Sequence, residues 1–400
     1  MQWIGLLAVS LPGLAALGAL LFTWMQVSQA SKELRISEQG HITNRFNAAI
    51  GNMGSKSVDV RLGGIYSLQR IMEDSPRDHA TIVSVLAAYV REHAPRSAGA
   101  LQDDPTEPPP TDIQAAMTVL ANRRPDKAGV KASFVDLSRT TLPALKPLHT
   151  RDSDINLRGV VFTEAELTEA PFDQADMEGS LLNGANLTYA GFIDSDLRGA
   201  SFQDANLTNA SFCGMKGAGR RPVCAKLTNT VLYGANLTNG DLSPADLRGA
   251  LICTDWKVGR GRPPVSGDGK ECANLTGADL THANLQKARL SAPPNYGPPV
   301  GADLTRADLT SANLTGADLT NANLTGAVLK NTSAIGANLM SADLSGADLT
   351  GANLTGADLR NTNLTNANLR NTNVTGANMD GANTKGANLH EVRGLPSSLR

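Results

Sequence analysis

The chain has 400 residues, and its 36 Lys and Arg nearly balance 38 Asp and Glu, which leaves a formal net charge of −2 at pH 7. This balance argues against a basic surface that binds nucleic acid directly. No phosphate-binding loop, His-Glu-x-x-His motif or Gly-x-Ser-x-Gly motif occurs, and the 6 histidines are scattered. We therefore expect no enzyme, no cofactor and no metal site.

An uncharged apolar segment lies near the N-terminus. Residues Trp3–Met25 contain no charged side chain, and a helix of this length spans about 30 Å of hydrocarbon. Trp3 and Trp24 stand near its ends, where an aromatic belt would lie. The segment predicts one transmembrane helix within an anchor of residues 1–30. A cleaved signal peptide is the rival interpretation because Ser28–Ala30 resembles a cleavage site, but no Lys or Arg precedes the apolar run.

Two features predict opposite sides of the membrane for the rest of the chain. Lys32, Arg35 and Arg45 follow the apolar segment and nothing basic precedes it, so the positive-inside rule places the following residues in the cytoplasm. Pairs of cysteines favour an oxidising exterior. We expect a single-pass plasma-membrane protein whose repeats lie in the cytoplasm.

Residues 31–95 have the pattern of amphipathic helices. Asp59–Ile71 carries Val60, Ile65 and Leu68 along one face, and a second helix starts at Ser75–Pro76. Two such helices joined by a short turn predict an antiparallel hairpin. Residues 96–150 then hold a Pro-rich linker and a short helix, Asp112–Ala121, which we expect to cap the following domain.

Residues 151–392 repeat a five-residue phrase, Ala-[Asp/Asn]-Leu-x-x, which runs 18 times without a break from Gly301 to Leu389. A period of five does not fit a 3.6-residue helix, because leucine would then point in every direction. If each pentad forms one side of a coil, Leu and the preceding Ala point inward and alternate in size, which fills a narrow core. Corner residues such as Gly316, Asn321 and Gly326 suit tight turns with positive φ.

This phrase resembles the pentapeptide repeat family, whose fold is a right-handed quadrilateral β-helix with four pentads per coil. The resemblance implies an all-β solenoid of about ten coils behind an α-helical region with one N-terminal transmembrane helix. Residues 20 apart should then stack, so Phe172, Phe192 and Phe212 are predicted to form a column. The N-terminal layout resembles membrane-anchored actinobacterial members through segments Glu38–Phe46, Asp59–Ile65, Ser75–His79 and Tyr89–Pro95.

Three loops interrupt the repeat, at residues 213–224, 253–272 and 291–300, and a tail of residues 393–400 follows it. All four cysteines stand at the stems of the first two loops, so Cys213 should lie near Cys224 and Cys253 near Cys272. Oxidised pairs would each stabilise the fold by about 3 kcal/mol. Unpaired thiols remain an alternative, and zinc is a weaker one because neither pair is a Cys-x-x-Cys and no His lies in either loop.

A partner surface is predicted where charge concentrates. From Asp152 to Asp204 there are 11 acidic residues against Arg158 and Arg198, and the first two loops carry basic residues. The alternative is that these are ordinary solvated positions of a solenoid. The candidate residues are Glu164, Glu166, Glu169, Asp173, Asp176, Glu178, Arg220, Arg221, Arg260 and Arg262.

Two functions fit these features. The first is a membrane-tethered, non-enzymatic scaffold that presents a rigid β-helix to a protein partner whose identity the sequence does not give. The alternative is a DNA mimic, as in family members that protect gyrase. Against it, the region from Arg151 onward has 25 acidic and 21 basic residues, a difference of only −4, and basic loops interrupt the rod.

Overall fold

The computed structural model describes residues 2–96, 107–123, 135–148, 155–216, 221–232, 235–243, 245–248, 250–253, 272–286, 288, 290–291 and 301–399. For residues 2–18, 35, 215, 216, 221 and 222 it describes the backbone alone. The chain divides into two compact units, Met1–His79 and Ala80–Arg400, and each is described by itself.

The first unit is a pair of antiparallel helices, α1 (Gln2–Met53) and α2 (Val58–Asp74). On α2, Ile65, Leu68 and Ile71 are fully buried, at the spacing of one helix face. An exposed salt bridge of 3.3 Å joins Arg45 Nη1 of α1 to Asp74 Oδ2 at the end of α2. The sequence predicted a hairpin of α2 with the next helix, whereas the hairpin within this unit is formed by α1 and α2.

The predicted transmembrane anchor forms the first part of α1. No helix among the residues that the structure describes is both long and apolar enough to cross a membrane. The structure therefore does not support the predicted transmembrane helix, and the side chains of residues 2–18 lie outside the described part.

The second unit is a β-helix in which residues 20 apart pair in parallel. Val161 pairs with Leu181, and Asn338 with Asp358. Most contacts between coils are such single bridges, and only β1 (Ile155–Asn156) and β2 (Ala175–Asp176) form a longer parallel pair among the described coils. This offset gives four pentads per coil, because four times five residues separate the partners.

The four sides of the coil are called faces 1 to 4, in chain order. Each is identified by its inward central residues in the first three coils. These are Leu157, Met177 and Leu197 for face 1; Phe162, Leu182 and Phe202 for face 2; Leu167, Leu187 and Leu207 for face 3; and Phe172, Phe192 and Phe212 for face 4.

Each position of the phrase has one structural role. Leu324 and Ala322 are fully buried, so the inward pair is as predicted. Asn323, between them, points outward, and its Oδ1 accepts hydrogen bonds from Thr325 N (3.1 Å) and Thr325 Oγ1 (2.7 Å). Gly326 turns the corner with φ of 64°. An Asp or Asn side chain two residues before a turn favours this local bond, which explains the residue type at the outward position.

The predicted aromatic column is confirmed, and it belongs to a larger cluster. Ring centroids of Phe172 and Phe192 lie 5.6 Å apart, and those of Phe192 and Phe212 lie 5.1 Å apart. Phe202, on the opposite face, also meets Phe192 edge-on at 5.8 Å. Since side chains from opposite faces meet at the axis, one aromatic core fills the first three coils.

The β-helix begins before residue 151, the predicted start of the repeats. Asp136 pairs with Val161 and Thr141 with Glu166, and the inward residues Leu137 and Leu142 are buried. Both leucines are in phase with Leu157, so the repeat period already contained them. A partial coil therefore precedes the first complete one.

Two helices, α3 (His79–His93) and α4 (Thr111–Ala121), close this end of the β-helix. The residue after α3, Ala94, accepts a hydrogen bond from Thr141 N at 2.7 Å. On α4, Gln114 Nε2 donates to Lys146 O (3.1 Å) and Asn122 Nδ2 donates to Leu148 O (2.7 Å). These amide side chains satisfy backbone groups of the coil end that would otherwise lack partners.

Gly63 and Gly64 are adjacent on α2, and we expect their replacement by Ala to change stability in opposite directions. A Cβ on Gly64 would lie 2.7 Å from the backbone oxygen of Ala49, so Gly64→Ala should force α1 and α2 apart and cost about 1–3 kcal/mol. Gly63 has nothing within 4 Å of an added Cβ, so Gly63→Ala should stabilise the helix by up to about 1 kcal/mol. Chemical denaturation followed by circular dichroism measures both, and equal shifts would contradict the packing.

The aromatic core gives a second prediction. Phe192 is fully buried among three other Phe rings, so Phe192→Ala should lower the free energy of unfolding by about 3–5 kcal/mol. Tyr189 lies in the same coil but is 58% exposed, and Tyr189→Ala should change stability by less than about 0.5 kcal/mol. Denaturant midpoints compare the two variants. A similar loss in both would mean that the Phe cluster does not carry the core.

Candidate interaction surface

The predicted acidic residues do not form one surface. Asp176 and Glu178 lie on face 1, Glu166 on face 3 and Asp173 on face 4, while Glu164 and Glu169 turn corners with φ of 57° and 58°. Because successive pentads turn successive corners, residues close in sequence point in different directions. Acidic residues that lie close together in the sequence are therefore distributed around the coil.

Most of these carboxylates already have partners on the protein. Glu164 Oε2 forms a salt bridge of 2.8 Å with Arg139 Nε. Glu166 Oε1 accepts a hydrogen bond of 2.8 Å from Asn186 Nδ2 in the next coil, and Asp173 Oδ1 accepts one of 2.7 Å from Ile193 N. These bonds lower the capacity of the side chains to bind an external cationic partner.

Face 1 carries a ladder of alternating charges. Arg158 Nη2 lies 2.9 Å from Glu178 Oε2, and Arg198 Nη2 lies 3.3 Å from the same oxygen in the next coil. Asp196 bonds Arg198 at 2.8 Å and Lys226 at 3.1 Å. Burial raises the pKa of Asp196, but hydrogen bonds from Arg198 and Lys226 outweigh it and lower the pKa to about 2. The face is thus locally neutral.

The basic loops leave the coil at different corners. Arg220, Arg260 and Arg262 lie outside the described residues, and of Arg221 the backbone alone is described. The first loop follows Phe212 of face 4, and the second follows Ile252 of face 2, so the two stems lie at diagonally opposite corners. The two loops that contain these arginines therefore leave the β-helix on opposite sides.

Disulfides join both loop stems, Cys213 to Cys224 and Cys253 to Cys272. The first stem continues as a hairpin of β3 (Cys213–Lys216) and β4 (Arg221–Cys224). A Cβ added to Gly214 would come within 2.6 Å of Ile193 Cδ1, so this hairpin lies against face 4. The described cysteines are all paired, and no group of His, Cys, Asp and Glu in the described part of the chain is arranged to hold a metal ion.

Sequence reasoning missed an uncharged column on face 2. In five successive coils its outward position holds no Asp or Asn, whereas faces 1 and 3 keep Asp or Asn there in four of the same five coils. Face 4 lacks them in the first three of these coils only, at Pro171, Gly191 and Ser211. The column consists of Val161, Leu181, Ser201, Val231 and Leu251, which pair in that order from coil to coil. A departure from the phrase at every fourth pentad was the signal. It becomes visible only when the pentads are sorted by face.

Comparisons with solved structures match several proteins over part of the chain. HetL, a pentapeptide repeat protein involved in heterocyst differentiation regulation in the cyanobacterium Nostoc sp. strain PCC 7120, is 30% identical over 60% of this chain and 89% of HetL, with a TM-score of 0.30. Rfr23 from the cyanobacterium Cyanothece 51142 is 36% identical over 30% of this chain and 86% of its own, with a TM-score of 0.25. Full-length QnrB1, a plasmid-mediated fluoroquinolone resistance protein, is 17% identical over 55% of this chain and 86% of QnrB1, with a TM-score of 0.18. No curated protein sequence matches the chain significantly.

The family model for pentapeptide repeats matches the chain in eight copies, over residues 153–214, 225–251, 271–292 and 300–393. These ranges cover slightly more than half of the 400 residues and coincide with the coils described above. Pentapeptide repeats form a right-handed β-helix, in agreement with the four-sided coil found here. The chain therefore belongs to the pentapeptide repeat family.

Proposed function

We propose that the protein is a membrane-attached, non-enzymatic scaffold whose β-helix presents a rigid surface to a protein partner. Proteins of this family are generally structural or interaction proteins rather than enzymes. The outward side chains described above bond mainly to neighbouring coils, which suits display of a fixed surface. In this proposal the β-helix presents the surface to the partner, and α1 attaches the protein to the membrane.

The observation that carries this proposal is the apolar stretch of α1. Six of its apolar side chains between residues 20 and 27 are 60–68% exposed, and together they cover more than half of the helix circumference. They are Leu20, Leu21, Phe22, Trp24, Met25 and Val27. A helix surface that is apolar over such a width is stable when an apolar medium covers it. Insertion of this stretch into a membrane would supply that medium, as in the membrane-anchored members that the N-terminal segments resemble.

Membrane attachment predicts a charge-sensitive distribution between cell fractions. Leu21→Asp combined with Met25→Asp places two carboxylates in the apolar stretch, at about 3 kcal/mol each in hydrocarbon, so the membrane-bound fraction should fall at least about tenfold. Gln26→Asp combined with Gln29→Asp adds the same charge at polar positions and should leave most of the protein in the membrane. Ultracentrifugation of lysed cells measures the membrane-bound fraction of each variant. A native chain found in the soluble fraction would overturn attachment.

We further propose that the β-helix faces the cytoplasm, because Lys32, Arg35 and Arg45 follow the apolar stretch. The two disulfides argue for the other side, since disulfides persist in oxidising compartments. Cys213 and Cys253 are buried as well as bonded, so the native cysteines are poor reporters.

A cysteine at an exposed position tests the location. Tyr189 is 58% exposed on the β-helix, and Tyr189→Cys should react with a membrane-impermeant maleimide only after the cells are lysed. Labelling after lysis is the internal control for reactivity. Labelling of intact cells to the same extent would place the β-helix outside and make the disulfides the better guide.

The DNA-mimic alternative requires a continuous acidic face. Among the described residues the longest column of carboxylates at one position has three members, Asp241, Asp279 and Asp308 on face 4, and Val328 ends it. Burial and the charge of Asp279 raise the pKa of Asp241, although a bond from Ser243 N opposes them. Three carboxylates span about 10 Å at 4.8 Å per coil, which is short for imitation of a duplex. No observation favours this function.

A further inference from the structure

Backbone hydrogen bonds between coils run mainly in one direction along the β-helix. On face 2, Leu359 N donates to Asn378 O in the next coil (2.7 Å), and Asn378 N donates back to Ala357 O (2.9 Å). Asn361 N also donates forward, to Asp380 O (2.9 Å), but Asp380 N bonds to Asn378 Oδ1 (3.0 Å) and not to the preceding coil. Two bonds therefore point forward for each one that points back, and faces 3 and 4 of these coils repeat this ratio.

The first edge of the β-helix consequently has an excess of C=O groups, and the helical cap (residues 79–96 and 111–123) supplies donors for it. Five groups of the cap donate to carbonyl oxygens of this edge. They are Arg91 Nη1 to Asp136, Arg96 N to Arg139, Gln114 Nε2 to Lys146, Asn122 Nδ2 to Leu148 and Arg123 Nη1 to Asn156. Two groups, Ala94 O and Gln114 Oε1, accept bonds from backbone N–H groups of the edge. Arg123 is only 3% exposed, so this edge holds a buried cation.

The last edge has the opposite excess, and it is open on three sides in the described part of the chain. On faces 2 to 4 of the last coil, six N–H groups and three C=O groups have no backbone or side-chain partner among the described residues. The N–H groups are those of Met379, Gly381, Thr384, Gly386, Leu389 and Glu391, and the C=O groups are those of Ala377, Ala382 and Ala387. Face 1 is closed by the tail, where Val374 N donates to Arg393 O (2.8 Å). We call residues 376–391 the open end.

The core is also less covered at the open end. The inward residues Thr384 and Leu389 are half-buried, whereas Leu364 and Leu369, 20 residues earlier, are fully buried. An unpaired sheet edge beside an apolar surface is a template for another chain. The open end therefore combines a ring of donors with an apolar centre.

The ratio of donors to acceptors restricts what can cover the open end. A second copy docked by the same end would bring its own excess of N–H groups, so most donors would stay unpaired. Carboxylates only accept, and their bonds from backbone N–H groups are strong. The ionised side chains of the open end and the tail do not oppose them, because Asp380 and Glu391 are balanced by Lys385 and Arg393.

We propose that the open end binds an acidic segment of a protein partner, with carboxylates on the N–H groups of faces 2 to 4 and an apolar side chain over Leu389. The arrangement inverts the first edge, where the guanidinium of Arg123 lies on carbonyl oxygens. A nucleic acid fits less well, because the centre is apolar and no ring of Lys and Arg surrounds it in the described chain. Opposite sheets stand about 10 Å apart, so the contact is small and weak.

Photo-cross-linking of the full chain in detergent tests the docking. The probe is a hexaglutamate peptide with a benzophenone group, and the controls are hexalysine and hexathymidylate with the same group. Residues 336–351 occupy the same positions two coils earlier, where the N–H groups are bonded, as in Leu339 N to Asp358 O (2.8 Å). Hexaglutamate should label residues 376–391 at least about fivefold more than residues 336–351. Equal labelling of the two segments, or equal labelling of the open end by hexathymidylate, would contradict the proposal.

One lysine at the open end needs its own control. Lys385→Ser restores the residue type that Ser345 has at the same position two coils earlier, so the coil should stay folded. Labelling by hexaglutamate should persist in this variant, because the backbone donors are unchanged. Loss of labelling would assign the binding to the Lys385 ammonium and sink the proposal.

The polarity of the open end can be measured without a ligand. Leu389→Glu and Leu389→Lys lose the same apolar contact, and Glu391, two residues away, favours the lysine. The N–H groups favour the glutamate, so Leu389→Glu should have the higher midpoint of thermal unfolding, followed by circular dichroism. An equal or higher midpoint for Leu389→Lys would show that the backbone donors do not dominate the open end, and the proposal would fail.

The inference names the docking surface of the scaffold and rests on that proposed function, but the two can fail separately. Labelling by hexaglutamate on another part of the β-helix would remove the open end as the docking surface and leave a scaffold. Failure of membrane attachment appears in the distribution between cell fractions and leaves the labelling of the open end unchanged.

Discussion

Coil-to-coil backbone hydrogen bonds are the interaction on which the rest of the β-helix depends. In the last complete coils, Leu359 N donates to Asn378 O (2.7 Å), and Asn378 N donates to Ala357 O (2.9 Å). The same pair of bonds recurs on each face, so each coil fixes the height and direction of the next. The outward positions can accommodate any residue, as long as the corner turn and the inward side chain of the pentad are kept. The five-residue period follows from this constraint, because each side must place one large residue inward and then turn.

The constraint separates inward from outward positions. Inward residues are limited by volume, and Phe replaces Leu only where neighbouring coils provide room for a common aromatic cluster, as around Phe192. Outward residues are limited only by the local bond that Asp or Asn makes, which costs little to lose. The outward positions are therefore where this chain can differ from a regular β-helix without loss of fold. The charge ladder of face 1 and the uncharged strip of face 2 both occupy such positions.

Sequence periodicity predicted much of the fold and less of the surface. It identified the inward leucines, which follow from counting residues, and the four pentads per coil that the family resemblance implies then gave the Phe172 column. It placed the start of the repeats too late, because Pro147 and Asp152 interrupt the phrase between Leu142 and Leu157. It also treated the acidic residues before Asp204 as one surface, although the turns of the chain distribute them over three faces and the corners. Charge density along a chain is a poor guide to a surface when the chain changes direction every five residues.

The sequence by itself determined the inward core residues and the corners of a coil built from pentads, because these depend on local period and side-chain volume. The four sides of the coil and the pairing distance of 20 residues came from the resemblance to the pentapeptide repeat family, and the structure has both. The sequence also determined which cysteines stand at loop stems. Only the tertiary structure decided which outward residues share a face, that the two loop stems lie at opposite corners, and that Leu137 and Leu142 belong to the β-helix. These properties depend on bonds between residues that are distant along the chain, and loops change the spacing from 20 to 30 residues between Asp196 and Lys226. The residues that share one surface of this protein come from successive coils, so their order along one coil does not reveal that surface.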